Sequence, residues 1–184
     1  MKTVLTLASF ATNAARINRL VAQLLRVARL DAAPVDTSKV IDLCATAAAC
    51  VEYLAPWAIE RGRALGFEAP EGRPVQVHGD AGAVTDALRN LIENAVTYAP
   101  VGTEVTISVD PMGHVSVSDQ GPGVASDDRA HIFKRFWRGR GAHHAGAGLG
   151  LAIVAEIARA HGGVVEVDQA TGGGALFTLK LRRA

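Results

Sequence analysis

The sequence is short of aromatic residues, of net charge, of cysteine and of long apolar runs, and each shortage excludes something. Aromatics make up 5% of the 184 residues while hydrophobic residues make up 49%, so a core must be built mostly from Val, Leu, Ile and Ala. The formal net charge is +1, which leaves no global field to draw the chain to nucleic acid or to an anionic membrane. The only cysteines are Cys44 and Cys50, whose spacing puts them on different helical faces and matches no metal-ligand pattern. Two small buried thiols in a reducing compartment are expected, without a disulfide. No apolar stretch is long enough to span a membrane. The first dozen residues are mildly apolar but lack a convincing cleavage site, so no signal peptide is expected. The length suits one packed domain with a small appendage and is too little for two full domains.

What is present reads as a mixture of helices and hairpin strands. Residues 13–31 place Ile17, Leu20, Val21, Leu24, Val27 and Ala28 at three- and four-residue spacing, an amphipathic stripe that needs a helical partner. Pro34 ends that element, and Asp31 to Pro34 forms a linker. An Ala-rich helix is predicted over 39–62, then short strands at Ala64–Glu68 and Val75–His78. Asp80 is a suitable N-cap for a helix running to Tyr98 and stopped by Pro100. Thr103–Val109 and His114–Asp119 alternate cleanly about a Pro111-Met112-Gly113 turn. A Gly- and Arg-rich segment covers 120–147. A helix from about Gly148 to His161 and two strands, Val164–Val167 and Ala175–Leu181, complete the chain. This order predicts a mixed sheet covered on one face by helices.

Three constellations carry chemistry. Asn90 and Asn94 sit four apart on the helix 81–98, beside the core stripe of Val84, Leu88, Leu91 and Ala95, so their amides project side by side. A side-chain carbonyl oxygen is a hard ligand suited to Mg²⁺; two exposed polar residues would give the same spacing. Asp119 shares a strand face with Val115 and Val117, so its carboxylate is buried and needs a donor, for which an adenine N6 amine would serve. Gly121 and Gly123 beside it let backbone approach a ligand, although an Asp-capped turn has the same pattern. Gly146-Ala-Gly-Leu-Gly-Leu151 leads into a helix that buries Leu149, Ile153 and Ile157. Its glycines would expose free N–H groups to an anion, or form only a flexible loop. It is neither a P-loop nor a dinucleotide fingerprint, since no Gly-Lys-Ser/Thr follows and no strand precedes.

Together these motifs resemble a family. Asn90-Leu-Ile-Glu-Asn94-Ala-Val-Thr-Tyr98-Ala-Pro100 looks like the N box of sensor histidine kinases, and Asp119-Gln-Gly-Pro-Gly123 like their first glycine box. Phe133-Lys-Arg-Phe136 resembles the F box, and Gly146 to Leu151 the second glycine box, in the family's order and spacing. His161-Gly-Gly163 also matches, and Arg16 to Asp31 is similar to the second helix of the family's dimerisation hairpin. The resemblance implies an α/β two-layer sandwich with a mixed sheet, of the superfamily of gyrase, heat-shock chaperones and histidine kinases. It implies residues 1–33 as a partial dimerisation segment and 34–184 as the ATP-binding domain. Asn94 would hold Mg²⁺, with Asn90 polar beside metal and phosphates. Asp119 would read adenine, with Tyr98, Gly121 and Gly123 lining the pocket. Gly146, Gly148, Leu149 and Gly150 would bracket the triphosphate, and Arg135 would supply charge from a mobile lid over 124–147. The reaction implied is transfer of the ATP γ-phosphoryl to a histidine, then to an aspartate of a response regulator. The setting implied is cytoplasmic, with homodimerisation through the N-terminal helix, no nucleic acid, and membrane attachment only through segments outside this sequence.

The sequence departs from the family in three places. Thr97 stands where many members carry Lys near the phosphates, and Ala147 where Thr is common. No Ser-His-Glu-like acceptor box is present. His78, His114, His131, His143, His144 and His161 all lie in the ATP-binding region, so the chain is expected not to autophosphorylate. A non-phosphorylating ATP-binding or dimerisation module, and an anti-sigma-type serine kinase, are the alternative readings.

Overall fold

The computed structural model describes residues 35–139 and 147–184. The chain divides between Pro34 and Val35, and the unit from Val35 to Ala184 is described by itself. The amphipathic helix read at 13–31 lies outside the described residues, as do Arg140, His143, His144 and Gly146 of the basic and glycine-rich segment.

The first elements are a strand β1 (Val40–Asp42) and a helix α1 (Leu43–Ile59). This corrects the helix expected over 39–62. Asp42 has extended backbone and accepts hydrogen bonds from the N–H groups of Cys44 (2.9 Å) and Ala45 (3.3 Å), which makes it the N-cap. The residues before it pair antiparallel with β3 (Gln76–His78), Ile41 opposite Val77. Three residues joined to a strand so far along the chain carry too little pattern to separate them from an Ala-rich helix. Cys50 is buried as expected, but Cys44 is half-exposed, and both thiols are free.

Between these strands lies β2 (Ala64–Glu68), and after β3 comes the helix α2 (Ala81–Tyr98), with Asp80 Oδ1 accepting from Ala83 N at 2.8 Å as its N-cap. The hairpin β4 (Glu104–Val109) and β5 (His114–Ser118) follows. A four-residue helix α3 (Ser126–Arg129), not foreseen, opens the Gly- and Arg-rich segment. Helix α4 (Gly150–Ala160) then precedes β6 (Val164–Gln169) and β7 (Ala175–Lys180). It starts later than the sequence pattern suggests because Gly148 has φ +68, which no right-handed helix accommodates.

The main sheet has five strands in the order β2-β4-β5-β7-β6; β2 and β4 are parallel and the other pairs antiparallel. Register aligns Phe67, Ile107, Val117, Phe177 and Val167 across it. This row faces the helices. The opposite face carries Ser116 and Thr178, whose hydroxyls are 3.0 Å apart, and Glu166. The architecture is therefore the expected two-layer α/β sandwich. Its core between sheet and helices is aliphatic, with Leu88, Leu91, Ile92, Ile153 and Ile157 at 0–1% exposure; Phe177 is the one fully buried aromatic among the described residues. No helix among the described residues is long and apolar enough to cross a membrane.

Candidate functional site

The site is built where the end of β5, the turn before β7, the second half of α2 and the start of α4 converge. Asp119 continues the buried alternation of Val115 and Val117 one residue past the strand and is only 4% exposed. Its Oδ1 accepts from Gly121 N (2.7 Å) and Ala175 N (3.2 Å). Oδ2 accepts no hydrogen bond, and since no enclosed side-chain polar atom among the described residues is unpaired, Oδ2 keeps an opening to the outside. Burial raises the carboxyl's pKa above the ordinary aspartate value, and the two backbone donors offset part of that rise. The result is a carboxylate held in place by one oxygen with the other available to an external donor.

Glycines permit this cradle. A Cβ on Gly121 would stand 2.8 Å from the Tyr98 carbonyl oxygen and 2.9 Å from Asp119 Oδ1. Gly174, with φ +89, lies so close to Asp119 that a Cβ there would overlap the Asp119 carbonyl oxygen. Gly174 and the Ala175 amide are participants that the motif reading missed. The run Thr171-Gly-Gly-Gly174 was their signal, but it reads as an ordinary hairpin turn until the crossing with Asp119 is known.

On α2, Asn90 and Asn94 differ. Asn90 is buried, at 7% exposure, with Nδ2 donating to Asp86 O at 2.7 Å. Its Oδ1 faces α4: a Cβ on Gly150 would lie 3.0 Å from it, a close approach that a side chain there would crowd. Asn94, one turn on, is half-buried and its carboxamide makes no hydrogen bond. Thr97 Oγ1 turns back to the Glu93 carbonyl at 2.6 Å and offers nothing to an anion. Tyr98, 37% exposed, ends the helix beside Gly121. That end is fixed by Arg63, whose Nε (3.0 Å) and Nη2 (2.6 Å) both donate to the Ala99 carbonyl. The guanidinium there caps the negative end of the helix dipole, a role the sequence did not announce.

Helix α4 begins at Gly150 with Leu149 as N-cap and no side-chain cap, so its first-turn N–H groups have no intrahelical acceptor. Gly148 sits against the segment of Phe133 to Trp137: its carbonyl accepts from Phe136 N at 2.8 Å, and a Cβ on it would be 2.5 Å from the Trp137 carbonyl oxygen. Phe136 has φ +64, a conformation that side chains rarely adopt, and is 65% exposed. Phe133 anchors the same segment edge-on to Phe177, with centroids 6.4 Å apart. Arg135 Nη2 lies 3.8 Å from Glu156 Oε1 in the middle of α4. Of the sequence-derived set, Asn90 and Gly150 meet at the α2–α4 contact, with Leu149 buried as the N-cap next to Gly150, and Tyr98, Asp119 and Gly121 meet at the strand end. Gly123 packs on Gly174, a Cβ on it lying 3.0 Å from the Gly174 carbonyl oxygen.

The chain matches the family described as histidine kinase-, DNA gyrase B- and HSP90-like ATPase over residues 79–184, and it belongs to that family. Within it, the chain carries a catalytic domain of the two-component sensor histidine kinase type. It is similar to the sensor-like histidine kinase SenX3 of Mycolicibacterium smegmatis, 40% identical over 120 residues, which cover 62% of this chain and 31% of SenX3. It is similar to the signal transduction histidine-protein kinase/phosphatase MprB of the same organism, 39% identical over 104 residues, 54% of this chain and 21% of MprB. Among solved structures it is similar to full-length ShkA in complex with AMPPNP, with a TM-score of 0.74 and 35% identity over 90% of this chain and 35% of ShkA. The chain thus spans about a third or less of the length of these relatives.

Proposed function

We propose that this domain binds Mg-ATP and transfers its γ-phosphoryl group to a histidine imidazole, from which it passes to the receiver domain of a response regulator. The observation that carries the reading is Asp119, a buried carboxylate with one oxygen fixed by Gly121 and Ala175 and the other unpaired. An adenine N6 amine is a donor of the right kind for that oxygen, and a guanine would present a carbonyl to it instead. The uncapped start of α4 suits the phosphates. Asn94 offers a hard oxygen donor without an internal partner, which fits Mg²⁺; other ligands would come from the triphosphate and water, because no group of three His, Cys, Asp or Glu suited to a metal occurs among the described residues. When bound, the ion neutralises charge on the phosphates. Asn90 sets the helix start against α2, and Gly121 and Tyr98 close the base side. Phosphoryl transfer depends mainly on such positioning and electrostatics. Arg135, if released from Glu156, adds a positive charge from the lid.

The reading extends to residues 1–33 as part of a dimerisation hairpin and to a cytoplasmic setting, where ATP is found. The test is incubation of the full chain with radiolabelled Mg-ATP, alone and with a separately supplied dimerisation hairpin of a related kinase. Acid-labile phosphate on the hairpin and none on the chain is the expected result. Transfer should be slow, because a tether normally supplies an effective concentration of about millimolar. Acid-labile phosphate on this chain itself would mean that one of its six histidines is an acceptor. A non-phosphorylating ATP-binding module is the second reading, favoured by Thr97, whose side chain is a hydroxyl committed to Glu93. ATP binding without transfer to any hairpin would select it.

A further inference from the structure

His161 closes α4 and is 4% exposed, yet neither ring nitrogen is idle. Nδ1 lies 2.7 Å from the Ile157 carbonyl oxygen and Nε2 lies 3.1 Å from the backbone N–H of Asp80, which caps α2. A carbonyl can only accept and a backbone N–H can only donate, so the partners select the neutral ring with its proton on Nδ1. The pocket is shaped for the ring: a Cβ on Gly79 would stand 2.7 Å from its Cδ2 and 2.9 Å from its Nε2. Gly79 N in turn donates to Lys39 O at 2.9 Å, tying the pocket to the segment entering β1.

Within the packed interface of these two helices, this contact and one other mark its two ends. The end of α4 meets the start of α2 through His161 and Asp80, and the start of α4 meets the middle of α2 through Gly150 and Asn90. The two points are separated by about 15 Å along the helices. A slide of one helix past the other by a single turn, roughly 5.4 Å, would break both. We infer that His161 is a positioning residue that sets the register of α4 against α2, and thereby the place of the free N–H groups at the start of α4 relative to Asn94. The inference rests on the nucleotide-binding reading above. It assigns His161 an effect on phosphate binding from the opposite end of the helix, without contact with the nucleotide. It also separates phosphate from base, because Asp119 is held by β5 and the turn before β7, to which His161 is not bonded.

The test compares the wild-type chain with His161→Phe, a ring without the two polar contacts, and His161→Gln, which has a donor and an acceptor to replace them. Affinity is measured for adenosine and for a non-hydrolysable ATP analogue with Mg²⁺, and backbone amide resonances of residues 150–152 are followed. His161→Phe should bind the triphosphate about threefold to tenfold more weakly while adenosine binding is unchanged. The amide resonances should shift, and His161→Gln should recover most of the loss. Gly79→Ala, which drives the ring from its pocket without deleting it, should reproduce the phosphate-specific loss and serves if His161→Phe does not fold. Equal weakening for both ligands, or no change in either, overturns the inference and leaves the proposed function intact. A wild-type chain that binds neither ligand overturns the proposed function, and the inference with it.

Discussion

Asp119 and Ala175 exchange two hydrogen bonds in one direction and the other: Asp119 N donates to Ala175 O at 3.0 Å, and Ala175 N donates to Asp119 Oδ1 at 3.2 Å. The carboxylate is therefore oriented by a residue on another hairpin, and its free oxygen direction is set before any ligand arrives. Preorganisation of this kind reduces what binding must supply.

Asp119→Asn replaces an ionised acceptor by an amide that can also donate. Affinity for an adenine nucleotide should fall by about 1.5–3 kcal/mol, roughly ten- to a hundredfold. Calorimetric titration of the folded variant measures it; unchanged affinity would remove Asp119 from the base site.

The raised pKa of Asp119 fixes the sign of two pH effects. The folded chain holds this proton more tightly than the unfolded chain, so stability from this group falls as pH rises from the ordinary aspartate value through the raised one. Asp119→Asn should abolish that component in pH-dependent unfolding. Nucleotide affinity runs the other way, because the ionised form is the better acceptor: it should decline as pH falls through the raised value, and the decline should be missing in the variant.

Gly174→Ala puts a methyl group into the Asp119 carbonyl at a residue with φ +89. A loss of roughly 2–4 kcal/mol in denaturant unfolding is expected, together with weakened nucleotide binding as the Ala175 donor shifts. An equally stable variant would mean that the crossing of the two turns can open to admit a methyl group.

Asn94→Ala removes a half-buried carboxamide that bonds to nothing in the fold, so stability should change by no more than about 0.5 kcal/mol. The gain in nucleotide affinity on adding Mg²⁺, measured against EDTA, should shrink. A full Mg²⁺ dependence in the variant would assign the ion to other ligands.

Cys50 is 3% exposed, and burial pushes its thiol up to about 11. An alkylating reagent at neutral pH should modify half-exposed Cys44 in the native chain and reach Cys50 only on unfolding. Mass spectrometry of the two peptides reads the order.

Much of this protein is local and was legible in its sequence. Asp80 before an apolar stripe marks the start of α2, Val115 and Val117 mark the buried face on which Asp119 lies, and glycines at 121, 123, 148 and 150 mark close approaches. Caps, alternation and backbone freedom act over a few residues, so a linear reading captures them. Other features depend on residues far apart in the chain. β1 exists because Ile41 finds Val77, and Asp119 is oriented by an amide 56 residues away. Asn90 and Asn94, equivalent by spacing, were separated only when Gly150 arrived against one of them. Arg135 was drawn to Glu156, and His161, which looked like the end of a helix, became a joint between two. Hydrogen bonds and close contacts at such separations are decided by which surfaces the packed core brings together, and no local pattern encodes that choice.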